Sequence, residues 1–159
     1  MRIAILIAGA AAICGCAGSS GTAAAPPNPD LAARYLAIIA SRNAASDGLS
    51  GALADPNHTV DSVRPAAQKL LDADIKTNND LLAFQSQVPS KMRQDVSSLR
   101  AAFSANENDL KKVVASKTMA ELNVALAAAG QDSITFNGAA TLLRTDLGLP
   151  PASVSAPLA

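Results

Sequence analysis

Between residues 30 and 148 the apolar positions recur at alternating steps of three and four. That period keeps one stripe of a helix turned toward its neighbours. The stripe is clearest through Met92, Val96, Leu99, Phe103, Asn106, Leu110 and Val113. Another runs through Leu122, Leu126, Ala129, Ser133, Phe136, Ala140, Leu143 and Leu147. A third follows Val63, Ala67, Leu70, Asp74, Thr77, Leu81 and Phe84, flanked by Leu71, Ile75 and Leu82. The first stripe in the chain follows Leu31, Tyr35, Ile38, Arg42, Ala45, Leu49 and Ala52, flanked by Leu36, Ile39 and Leu53.

Stop and start signals divide these stripes into four lengths. Asn28-Pro29-Asp30 opens the first, with proline suited to an initial turn, and "DPNHT" at 55–59 closes it. Pro65 is tolerated only in a first turn, so the second helix is expected to begin near Asp61 or Ser62. "QVPS" at 87–90 breaks the chain again and offers Ser90 as an N-cap. Thr118 and Glu121 have capping-box spacing for the fourth helix, and Gly148 with Pro150 behind it is a stop. Gly130 interrupts the fourth stretch, but the stripe passes through it in phase, so one helix is expected there. Four helices of about 25 residues joined by short loops predict an all-α fold, an antiparallel up-down-up-down four-helix bundle.

Each stripe carries one polar residue near its centre: Arg42, Asp74, Asn106 and Ser133. Helix centres share one height in an antiparallel bundle, so these four are candidates for a buried polar layer. The competing register moves the stripes by one position. Asn43 and Ile39, or Leu71 and Ile75, then take the core, and Arg42 and Asp74 face water. Because burying charge is costly, that second register is the expectation for Arg42 and Asp74. Asn106 is the best candidate for burial, since Phe103 and Leu110 flank it in phase; a single buried Asn more often fixes register than binds a ligand.

Composition narrows the partners. The chain holds 13 Lys plus Arg against 13 Asp plus Glu, with 49% hydrophobic residues, 3% aromatic residues and no tryptophan. There is no basic field for nucleic acid and no polybasic run for anionic lipid. An alanine-rich core poor in β-branched residues favours helix.

The N-terminal stretch has another logic. Arg2 precedes an apolar run from Ile3 to Ile13, eleven residues, too short for a bilayer core of about 30 Å. A charged start, a short apolar run and a small-residue exit are the parts of a secretory signal. The exit, Ile13-Cys14-Gly15-Cys16, resembles the bacterial lipoprotein signal. That resemblance implies Ile13 as the aliphatic position, Gly15 as the small one and Cys16 as the lipid acceptor. Cys14 stands at the variable position, where alanine or serine is more usual. An ordinary signal cut after Ala17, or an uncleaved anchor, are the competing readings. The expected organisation is a lipoprotein signal peptide at 1–15, lipidated Cys16 with a flexible tether at 16–29, the bundle at 30–148 and a disordered tail at 149–159. The gly-, ser- and pro-rich 17–29 has nothing with which to build a core.

Known chemistry is hard to place. His58 is the sole histidine, with Asp55 and Asp61 on either side, but Pro56 keeps the three off one helix face. Glu107 and Glu121 are the only glutamates, too few for a bundle di-iron centre. No nucleophile elbow, phosphate loop or complete calcium loop is present, so no cofactor or metal is expected and the chain is read as a non-enzyme.

The mature region also resembles small uncharacterised actinobacterial helical-bundle lipoproteins, through its alanine-rich four-helix pattern, "NAASDGLSGALADP" and "LRTDLGLPPA". The resemblance brings no activity and no functional residues. It implies the extracytoplasmic face of the cell membrane, reached through an N-terminal lipid anchor. Two functions remain open: an envelope interaction or structural lipoprotein with an unknown protein partner, or a carrier or sensor taking a small apolar ligand between the helices.

Overall fold

The computed structural model describes residues 28–151. Ile13, Gly15, Cys16, most of the tether and the end of the tail lie outside them. The described chain is a helical bundle of α1 (Pro29–Ala54), α2 (Val60–Gln85), α3 (Ser90–Ala115) and α4 (Met119–Asp146). The helices run alternately up and down. Asn78 meets Ser104 and Glu107 while Gln85, one end further along α2, meets Arg93 and Arg100, nearer the start of α3.

The caps follow the local chemistry. Asn28 accepts from the backbone N–H of Asp30 and Leu31, and Pro29 needs no N–H at the first helical position. Thr59 and Ser62 exchange the two hydrogen bonds of a capping box, which starts α2 at Val60. That start precedes the expected one, and Pro65 lies beyond the first turn. The break in the ladder falls at the carbonyl of exposed Asp61, where water is at hand. Ser90 is not a cap: Pro89 holds that position without a side-chain bond. Thr118 caps Glu121 N–H, but the Glu121 carboxylate accepts from Lys117 N–H, one residue short of a reciprocal box. α4 ends in a Schellman arrangement, with Leu149 N–H on Arg144 O and Gly148 N–H on Thr145 O, and Gly148 takes φ 70°.

α1 packs on α2, α2 on α3 and α3 on α4. α1 and α4 face each other more loosely, across a cleft. The core is split into two clusters. One holds all four aromatic residues, Tyr35, Phe84, Phe103 and Phe136, with Leu81, Leu99 and Leu143. The other is built of smaller side chains around Leu49, Val63, Leu70, Leu110 and Leu122. Phe103 and Phe136 meet edge to face, centroids 4.9 Å apart, a geometry aromatic quadrupoles favour.

Candidate functional site

The gap between the two clusters is polar. Asp74 of α2 is fully buried, with 0% of its surface exposed, while Ile75 beside it is exposed. This overturns the expected water-facing register of α2. Asp74 is tolerated because its two oxygens have partners from different helices. Arg42 Nε of α1 donates to Oδ1 at 3.3 Å, and Asn106 Nδ2 of α3 donates to Oδ2 at 2.5 Å. Arg42 is mostly buried too, with 15% of its side chain exposed. Thr77, one turn along α2, lies 3.5 Å from the Ile38 carbonyl.

Burial pushes the Asp74 carboxyl above the ordinary value of 3.8; the Arg42 charge and the Asn106 hydrogen bond oppose that shift. Asp74 therefore holds a proton more readily here than in water.

Ser133 lies level with this layer but is not joined to it. Its hydroxyl donates to the Gly130 carbonyl of its own helix at 2.6 Å. With Arg42 and Asn106 it lines a pocket of only about 60 Å³, room for about two waters. Phe136, one turn away, makes the contact that serine does not. Its ring lies under the Arg42 guanidinium, 4.4 Å from centroid to Cζ.

The pocket adjoins the α1–α4 cleft, since Arg42, Ser46, Phe136 and Asn137 line both. The cleft has a volume of about 470 Å³. Leu36, Ile39 and Ala140 supply apolar wall, and Asn43, Ser46 and Asn137 supply polar wall. At its other end Tyr35 and Arg144 stand together. Burial raises the Tyr35 hydroxyl's pKa, opposed by the charge and hydrogen bond of Arg144. Arg144 Nε is fixed by the Pro150 carbonyl at 2.6 Å.

Sequence reading missed three members of this region: Phe136 as the guanidinium's partner, the Tyr35–Arg144 pair, and the cleft itself. The stripes contained Tyr35 and Phe136, but only as core residues. What the stripes do not carry is the spacing between α1 and α4. His58, in the α1–α2 loop, has ring Nδ1 2.7 Å from the Asp55 carbonyl oxygen. Among the described residues, no three His, Cys, Asp or Glu side chains converge as metal ligands. No described helix is long and apolar enough to cross a membrane.

No protein-family model, curated protein or solved structure matches the chain.

Proposed function

We propose that this chain is a lipid-anchored protein of the extracytoplasmic membrane face that acts by binding a protein partner, not by catalysis. The observation that carries the binding part is the outward face of α4. Val124, Ile134 and Leu142 are among the most exposed large apolar side chains, at 73%, 66% and 60%. Ala127, Gln131, Thr135 and Gly138 are exposed around them, and none of these side chains is charged. α1 and α4 carry four charged residues each, against seven on α2 and eight on α3. The molecule thus has a charged side and a weakly charged side. Apolar side chains gathered on one uncharged face suit a partner better than water. The anchor rests on Gly15-Cys16 and on the short apolar run before them.

Two experiments test the two parts. Intact mass of the protein from its native host should give a chain beginning at Cys16 and heavier by a diacylglyceryl group; an unmodified chain beginning near Gly18 sinks the anchor. A photo-crosslinking residue at Ile134 should trap one partner in intact cells, and the same residue at Lys76 on α2 should trap none. Equal trapping from both faces removes α4 as the contact surface.

The second function, a carrier or sensor, draws on a different observation: the 470 Å³ cleft between α1 and α4. Its size falls within the range of small-molecule sites, about 300–1,000 Å³.

A further inference from the structure

The α1–α4 cleft joins an apolar trough to an arginine that uses one of its five N–H donors among the described residues. Asp74 takes only Nε of Arg42; neither Nη bonds any described residue. Yet no buried side-chain nitrogen or oxygen among the described residues lacks a partner. The Nη atoms are therefore in contact with solvent; of the two adjoining spaces that Arg42 lines, the pocket of about 60 Å³ and the cleft of about 470 Å³, only the cleft has room for a ligand. Phe136 beneath and Asp74 behind hold the guanidinium in place. Such a fixed fork is suited to an oxyanion, because two parallel N–H donors match two oxygens.

The surroundings agree with an anion that carries an apolar chain. Asn43 and Asn137 bring amides to the Arg42 end. Leu36, Ile39 and Ala140 continue the cleft as apolar wall. Arg42 and Arg144 are the cations of the lining and Asp47 its one carboxylate, so the cleft is positive in a chain of net charge zero. A purely apolar ligand would leave the polar wall covered without a partner, at a desolvation cost.

The geometry points to a binding site for a single-chain amphiphile with an anionic head, its oxyanion on the Arg42 Nη fork and its chain along Leu36, Ile39 and Ala140. This inference rests on the carrier reading above and names its ligand class.

The test uses the full chain carrying Cys16→Ser, so that no acyl group of its own competes, titrated calorimetrically with octanoate, 1-octanol and acetate. Octanoate is expected to bind at least about tenfold more tightly than octanol, with acetate undetectable in the same range. Arg42→Gln with Asp74→Asn removes the fork without leaving a lone buried charge, and should abolish the preference for octanoate over octanol. Exposed Ala40 also lines the cleft, so Ala40→Phe fills it without touching the core and should abolish octanoate binding even if the double variant fails to fold. Octanol binding as well as octanoate overturns the anionic head but leaves the carrier reading standing. Acetate matching octanoate overturns the chain. Octanoate binding unchanged in Ala40→Phe, or a preference kept by a folded double variant, overturns the location. Binding of none of the three probes overturns this inference and the carrier reading together.

Discussion

Asn106 Nδ2 donates to Asp74 Oδ2 at 2.5 Å in the middle of the bundle, between an aromatic cluster and an aliphatic one. The amide is the one partner of this carboxylate that carries no charge. Asn106→Ala removes a hydrogen bond to a charged group, a type worth about 1.5–3 kcal/mol, and opens a small void beside it. Urea unfolding should show the variant less stable by at least about 2 kcal/mol. A loss within 0.5 kcal/mol, the ordinary range for surface substitutions, would mean that the amide does not hold the carboxylate.

Arg42 and Asp74 should behave as a coupled pair. Arg42→Met alone leaves a buried carboxylate with one partner fewer, a change that costs about 3–5 kcal/mol in comparable buried pairs. Arg42→Met combined with Asp74→Leu should cost less than Arg42→Met alone, because the second change removes the orphaned charge. A thermodynamic cycle by chemical denaturation reads the coupling; strict additivity of the two single changes would count against a buried ion pair.

The pH dependence of stability follows from the direction of the Asp74 shift. The folded state holds this proton more tightly than the unfolded chain, whose ordinary value is 3.8. The stability linked to Asp74 is therefore fully present below about pH 3.8 and is lost as pH rises through the folded-state value. Asp95, near Asp146, and Asp132, near Asp109, are raised by burial and by those neighbouring carboxylates, so they act in the same direction. Asp74→Asn should remove the Asp74 part. The difference in unfolding free energy between parent and variant should move in the parent's favour as pH falls. A difference that stays flat from neutral pH to pH 4 would rule out a raised carboxyl at this position.

Glycine-to-alanine changes should have opposite signs at two kinds of site. Gly48 and Gly138 are helical, and a Cβ built on either meets nothing within 4 Å. Alanine there should add about 0.5–1 kcal/mol by restricting the unfolded chain. Gly148 has φ 70°, where a side chain is strained, so alanine should cost about 1 kcal/mol. Melting temperatures of the three variants give the signs directly, and a Gly148→Ala variant as stable as the parent would contradict the Schellman ending.

The sequence by itself determined the helices. Their stripes are local, repeated at a fixed period, and bounded by residues whose backbone preferences act within one turn. Every position of the α3 stripe, from Met92 to Val113, is buried. The α4 stripe runs unbroken through Gly130. Boundaries moved by a residue or two: α2 begins at Val60 rather than at the expected Asp61 or Ser62, and Pro89 takes the cap position expected of Ser90.

Only the tertiary structure decided the fate of the polar residues. Seen alone, Asp74 is a charge whose burial is costly, and the water-facing register is the cheaper one. Arg42 and Asn106 change that balance, but each lies 32 positions away in the chain, on another helix. Nor does any one helix specify the cleft. It exists because α1 and α4 each bind the helix next to them in the chain more closely than they bind each other. Helix formation is set by neighbours in sequence. The partners of a buried charge and the width of a groove are set by neighbours in space.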